Sequence, residues 1–249
     1  MAKHSLLRPE YSSKIIGVIF ISISVYLFLF TDHINPALAS AFIGIFTLLI
    51  VNFPTVEEDV SIASLKSGVL TYHVILDDLE VSSMGIHVPP QGDLTGSRAY
   101  IPASESIEIP DLSDEMTIVS LGRGKVGIAV PPPGYPLLEE AKERIGYGLE
   151  DKGLESGREC MGHLSEGMGL ARSFSFRRDE GNVKLRITHG RYQDYCESLR
   201  EVSTDICTRT GCPICSAYLT AASESLSSRL KVMDFEVEGK HIKYDLEVV

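Results

Sequence analysis

Basic side chains are scarce in this chain: 23 Lys and Arg stand against 34 Asp and Glu, for a net charge of −11, and no stretch clusters them. Neutralising phosphates requires such clusters, so the composition argues against a nucleic-acid binder. The seven histidines, His4, His33, His73, His87, His163, His189 and His241, form no H-x-x-x-H or H-E-x-x-H pair. No G-x-S-x-G elbow or Walker loop occurs either. Those absences remove the common metallohydrolase, serine-hydrolase and P-loop signatures, and no catalytic constellation remains, so an enzyme is not the expected reading. Internal repeats and low-complexity tracts are also lacking. Charged residues make up an ordinary 23% of the 249 residues, which speaks against wholesale disorder and leaves room for one or two domains.

Apolar residues, by contrast, are concentrated at the start. Ile15 to Thr31 and His33 to Val56, apart from their polar margins, are two uncharged runs, each about long enough to cross the ~30 Å hydrocarbon core as a helix. Between them the segment Thr31-Asp32-His33-Ile34-Asn35-Pro36 combines a charge, further polar groups and a proline suited to the first turn of a second helix. The expectation is a helical hairpin meeting the bilayer through residues 15–53, with Gly17, Gly44, Ser22, Ser24, Ser40 and Thr47 letting the helices approach closely. The alternative is a secretory signal: Lys3, Arg8 and Lys14 form a charged leader and Ala37-Leu38-Ala39 resembles a cleavage site. Against cleavage stands the renewed apolar sequence from Phe42 to Phe53. Three basic residues before the first run and none in the connection predict a cytoplasmic N-terminus, and after two crossings a cytoplasmic C-terminal part. Residues 1–56 hold three basic and two acidic side chains, which leaves 20 against 32 in the remainder.

The rest reads as an α+β domain over 68–249, joined to the anchor (1–56) by a linker at 57–67. Its first part, 68–130, is expected to be β-rich: Val69 to Leu76, Ala99 to Pro102, Thr117 to Leu121 and Val126 to Val130 are short apolar stretches bounded by Gly or Pro. Pro131-Pro132-Pro133-Gly134 ends that part. From 136 onward helices alternate with two hairpins. A helix from Pro136 buries Leu137, Ala141, Ile145 and Leu149, and a glycine-interrupted one spans about Leu154 to Met168. Next come a hairpin through Phe174, Phe176, Val183, Leu185 and Ile187, then a helix with Tyr192, Tyr195, Cys196, Leu199 and Val202 on one stripe. Another helix runs from Pro213 to about Leu230. The final hairpin pairs Met233, Phe235 and Val237 with Ile242, Tyr244, Leu246 and Val248.

Gly122-Arg123-Gly124-Lys125-Val126-Gly127 has the spacing of a dinucleotide fingerprint, but that motif needs a helix N-terminus to hold the pyrophosphate. Here Ile128-Ala129-Val130 runs into three prolines, so a hairpin turn is the reading. Cys212-Pro213-Ile214-Cys215 is the most specific feature, because a cysteine set against free helix N-terminal amides has its thiol pKa lowered. With Cys207 it makes C-x4-C-x2-C, three of the four ligand positions of a plant-type iron–sulfur site. The fourth ligand would be Cys196 or Cys160; zinc could use the same thiolates with His163 or Cys196. The bland alternative is that Cys196 and Cys215 continue apolar helical stripes and sit in a core as small hydrophobes, reduced in a cytoplasmic setting.

The Cys212–Cys215 tetrapeptide and the helix after it resemble the active site of glutaredoxins. The resemblance spans about a dozen residues and then lapses, for the thioredoxin-type fold needs a further crossover strand and a cis-proline that the remaining sequence does not supply. The hairpin anchor with an acidic domain, together with Thr210-Gly211-Cys212-Pro213-Ile214-Cys215-Ser216, resembles an uncharacterised group of archaeal membrane-anchored proteins. More remotely, the element order from residue 136 is similar to the TRAPP-subunit and vinyl-reductase-like domain. That similarity implies a domain that forms a homodimer or meets a protein partner and can enclose a hydrophobic ligand. Taken together, the sequence leads to a membrane-anchored cytoplasmic domain binding a protein partner or a small apolar ligand. Its alternative is a metal-binding (zinc or iron–sulfur) or thiol redox protein using Cys207, Cys212 and Cys215 with Cys196.

Overall fold

The computed structural model describes residues 9–31, 34–51, 58–81, 83–103, 109–115, 118–120, 126–149, 153–179 and 181–249. Two compact units divide the chain, Met1–Glu58 and Asp59–Val249. The first contains α1 (Pro9–Phe30) and α2 (Ile34–Val51). Their seam is a seven-residue repeat of small side chains: Gly17 and Ser24 on α1, Ala37 and Gly44 on α2, all buried. A Cβ on Gly17 would stand 2.8 Å from Leu48 Cγ, and one on Gly44 2.9 Å from the Gly17 carbonyl oxygen, so the two helices approach as closely as they do because neither position has a side chain. Ser24 Oγ donates to the Ala37 carbonyl at 2.7 Å, whereas Ser22 and Thr47 bond within their own helices. Ile15, Phe28, Phe42 and Phe46 are among the many large apolar side chains left exposed. Among the described residues one helix, α1 through Ser13–Phe30, is long and apolar enough to cross a membrane; the apolar part of α2, Ile34–Ile50, is shorter.

The second unit is a mixed α and β structure on one antiparallel sheet. It opens with α3 (Glu58–Asp78), where the sequence suggests a linker over 57–67 and a strand over Val69 to Leu76. Locally, Val69, Val74, Ile75 and Tyr72 do favour a strand. What overrides them is burial: Val69 and Leu76 are seven residues apart on one helix face, Tyr72 lies between them, and Leu76 and Tyr72 pack against Ala99, Ile101, Ile128 and Val130. Residues 52–57 fall outside the described set.

The sheet comprises β1 (Ile86–Val88), β2 (Arg98–Pro102), β3 (Ile118–Ser120), β4 (Val126–Val130), β5 (Ala171–Asp179), β6 (Asn182–His189), β7 (Leu230–Glu238) and β8 (His241–Val248). Their order is β3-β4-β2-β1-β7-β8-β6-β5. Pairing of Ile86 with Lys231 and His87 with Leu230 fuses the early strands and the two late hairpins into one sheet. The helices are α4 (Tyr135–Ile145), α5 (Leu154–Gly162) with a π turn to Gly167, α6 (Gln193–Val202), the short α7 (Ile206–Arg209) and α8 (Pro213–Ser225).

Several expectations are corrected in detail. Helix α4 ends at Gly146, whose φ of 77° suits glycine, so Leu149 is buried beyond the helix, and Leu138 takes the buried place expected of Leu137. Helix α8 stops at Ser225 because the chain turns at Ser227 and Leu230 already begins β7. Met233 is exposed, since a bulge between Val232 and Asp234 shifts the inward register to Phe235 and Val237. Val202, at the end of α6, is exposed as well. Of the G-x-G-x-x-G string, Gly122 to Lys125 lie outside the described residues, and from Val126 the chain forms strand β4 rather than the helix that phosphate binding needs.

Every residue of α8 is buried. Small side chains let its neighbours close in: a Cβ on Gly134 would meet the Pro213 carbonyl oxygen at 2.2 Å. Ser216 Oγ is buried without a hydrogen-bond partner, but the polar groups at the C-terminal end of the helix are bonded. Ser97 Oγ donates to Glu224 at 2.6 Å, Lys142 Nζ donates to the other Glu224 oxygen at 2.9 Å, and Ser223 Oγ donates to the His87 carbonyl at 2.9 Å.

His87 itself is fully enclosed, and burial pushes its pKa down from 6.5 to about 4. The native imidazole stays neutral where the unfolded one takes a proton, so unfolding is favoured progressively as pH falls from 6.5 to 4, and the stabilisation is complete above 6.5. The span corresponds to about 3 kcal/mol. Burial lowers the pKa of His189 too and adds to the same trend. Denaturant midpoints compared at pH 7 and pH 4.5 are expected to fall clearly for the natural chain and less steeply for His87→Asn.

Candidate functional site

The predicted cysteines are placed by α6, α7 and the start of α8. Gly211, at φ 77°, turns the chain so that Cys212 adopts the extended N-cap conformation, with Pro213 in the first helical turn. The backbone N–H of Cys215 then donates to Cys212 Sγ at 3.4 Å. Cys196, from α6, brings its sulfur to 3.7 Å from that of Cys212. Cys207 lies within electrostatic reach on α7, and the Tyr244 hydroxyl donates to its carbonyl at 3.2 Å. Cys160 is elsewhere, within electrostatic reach of Glu224 and Lys142, and the His163 ring stacks over Gly167.

All five cysteines are free and buried. Cys212 is 1% exposed despite its place at the helix start, because α8 enters the core at its first residue. Hydrogen bonds from the Cys196 and Cys215 thiols and from the Cys215 and Ile214 amides keep Cys212 well below the usual thiol range. The same pairing, with burial, raises Cys196 and Cys215, and burial pushes Cys207 up to about 12. Among the described residues no group of three or more His, Cys, Asp or Glu is arranged to hold a metal ion. Two further groups face this region without partners: His189 Nε2, within electrostatic reach of Cys212, and the Tyr195 hydroxyl, within reach of Cys212, Cys196 and Cys215. In the sequence His189 is one scattered histidine among seven, although its inward place two residues after Ile187 in β6 is available from the alternation.

A second feature is hidden at the level of sequence because α3 reads there as a strand. Leu65, Gly68 and Tyr72 of α3 face Pro131, Pro133 and Pro213 across a groove of about 420 Å³. Its walls are largely apolar. The Tyr72 hydroxyl is shut off from solvent with no hydrogen-bond partner, and burial raises its pKa. Pro213 joins the two features, since it lines the groove and directly follows Cys212.

A family model described as "Domain of unknown function (DUF7982)" matches residues 16–197. The chain belongs to the DUF7982 family. The matched span includes α1 to α5, the α3 wall of the groove and strands β1 to β6, and it ends in α6 just after Cys196. Cys207, Cys212 and Cys215 therefore lie beyond the part by which DUF7982 is recognised. No curated protein and no solved structure matches the chain, and nothing links it to the archaeal membrane group or the TRAPP-like domain.

Because reagents attack the thiolate and need access, folded protein is expected to resist alkylation by maleimide at all five cysteines, and all five should react once it is denatured. Counting labels by mass spectrometry checks this. Rapid modification of Cys212 in the folded chain would mean that the α8 N-terminus opens readily.

Proposed function

We propose that this chain is a membrane-anchored domain that binds a small apolar molecule, bearing a hydrogen-bond acceptor, in the groove between α3 and the proline turns. The observation that carries the reading is the groove's composition. At about 420 Å³ it falls in the range of small-ligand sites, and its lining combines the exposed Leu65 and Pro131 with the more enclosed Val69, Tyr72, Pro133 and Pro213. An unpaired buried hydroxyl costs roughly 1–3 kcal/mol, so a ligand carbonyl that reached the Tyr72 hydroxyl would recover part of that cost. Only residues 52–57 connect α2 to α3, so a bilayer holding the apolar helices would keep a reservoir of such molecules on a short tether.

Gly68 gives a clean test, because a side chain there would project into open space on the groove side of α3. Gly68→Leu should fill the groove while improving helix propensity by up to ~1 kcal/mol. A medium-chain ketone carrying a diazirine is expected to label peptides containing Leu65, Val69 and Tyr72 in the natural chain and to lose that labelling in Gly68→Leu, with no fall in melting temperature. Equal labelling in both, or labelling confined to α1 and α2, would refute the site.

For the anchor, the proposal is two crossings with both termini in the cytoplasm. It is supported by the apolar exterior of α1 and α2 and by Lys3, Arg8 and Lys14 ahead of them. Protease outside intact cells should leave residues 57–249 uncut; digestion of that part would overturn the topology. One observation favours a second reading, thiol or metal chemistry at Cys196, Cys207, Cys212 and Cys215: the 3.7 Å approach of two sulfurs beside a helix N-terminus. About one zinc, or stoichiometric iron and sulfide, per purified chain would promote that reading over the first.

A further inference from the structure

The outer face of the second half of the sheet has its charges sorted rather than mixed. Strand alternation turns Val183, Leu185 and Ile187 of β6 into the core and Lys184 and Arg186 outward. Register then fixes their neighbours. Arg177 of β5 stands directly opposite Lys184, and Arg186 directly opposite Lys243 of β8. Two pairs of like charges thus face each other across adjacent ladders, an arrangement that destabilises a sheet. On the other side Asp234 of β7 stands opposite Asp245 of β8.

Simple exchange of partners between strands would have mixed these charges. Lys243 does find Glu236 at 3.4 Å and Glu238 at 2.6 Å. Among the described residues, however, Arg177, Lys184 and Arg186 have no ion-pair partner, even though Asp245 is the cross-strand neighbour of Lys184. These cations, Lys243 and the Ser175 hydroxyl line a concavity of about 580 Å³ together with the carboxylates of Asp234, Glu236 and Asp245. In a chain of net charge −11 such a set does not follow from a basic composition. Local arrangements that cost stability without internal compensation are characteristic of binding sites.

We infer that the open face of β5, β6 and β8 binds a compact phosphate-bearing anion, held by Arg177, Lys184 and Arg186. Guanidinium groups match phosphate oxygens in pairs, a lysine adds a point charge, and a bound dianion converts both like-charge repulsions into attractions. Asp234 and Glu236, both on β7, close the side of the concavity away from β5, and Asp245 of β8 stands beside Lys184. A single phosphoryl group fits beside them; an extended polyanion would meet their charge.

The test uses the full chain in nanodiscs of phosphatidylcholine. Inorganic phosphate is expected to raise the melting temperature above that in chloride of equal ionic strength, and calorimetry should show saturable binding. In Arg177→Gln/Lys184→Gln, binding should weaken by at least about tenfold, while the melting temperature in chloride holds or rises because a repulsive pair has gone. Nanodiscs that include phosphatidic acid separate the sources. If a lipid headgroup is the natural occupant, they should confer the stabilisation without free phosphate and leave none for added phosphate to supply; if the anion is soluble, phosphate should act equally in both discs. The inference is overturned if neither phosphate nor the anionic disc exceeds chloride, or if the double variant responds as the natural chain does.

Discussion

The second unit is organised around the need to bury α8 on every side. In a helix enclosed all round each unpartnered polar side chain costs stability; α8 carries five serines, threonines or acids in its last ten residues, of which Ser216 alone has a hydroxyl without a hydrogen-bond partner. Glu224 is the most demanding of them. Its carboxylate is held by Lys142 of α4 and by Ser97 ahead of β2, so elements distant in sequence must arrive in fixed positions before the charge is compensated. Losing one partner of such a buried pair typically costs about 3–5 kcal/mol. The small residues of α8 serve the same requirement by letting α4 and α5 approach, and Gly134 and Gly157 make the closest of those approaches.

The cysteines are best understood from that burial. Because α8 is sunk to its first residue, its free amides cannot be capped by water, and Cys212 Sγ accepts from Cys215 in their place. Helix α6 supplies Cys196 against it, and the cluster is closed by Tyr195, His189 and Tyr244. Desolvation and the helix N-terminus act on the Cys212 pKa in opposite directions, and the hydrogen bonds from Cys196 and Cys215 make the lowering prevail. A sequence motif that suggests an exposed reactive pair is here a buried one, with its nearest surface feature the apolar groove beside Pro213.

Charge is distributed with comparable economy. Acidic groups predominate, and the cations that matter structurally are committed: Lys142 to Glu224 and Glu139, Arg209 to Asp77 and Asp205, Arg98 to Asp114. Arg209 in particular, 5% exposed, ties α7 to α3. Against that background Arg177, Lys184 and Arg186 of β5 and β6 stand out, because among the described residues none of them forms an ion pair, although Arg186 lies within electrostatic reach of Glu238.

Features carried by local pattern were legible in the sequence. The two apolar runs become α1 and α2 because their apolar stretches are long and uninterrupted, and alternation with turn residues marks the hairpins β5–β6 and β7–β8. Pro213 locates a helix start through its own backbone preference, whereas the apolar stripe carries the sequence reading of α4 past its end at Gly146 to Leu149. Residues Val69 to Leu76 were not legible in this way: a β-branched run is compatible with strand or helix, and only contact with β2 and β4 selects the helix. The meeting of β1 with β7, the approach of Cys196 to Cys212 and the groove under Tyr72 depend on tertiary contacts alone. Each joins residues far apart in the chain, and the free energy that chooses among such meetings comes from burying α8 and its partners together, a quantity that no local window of sequence contains.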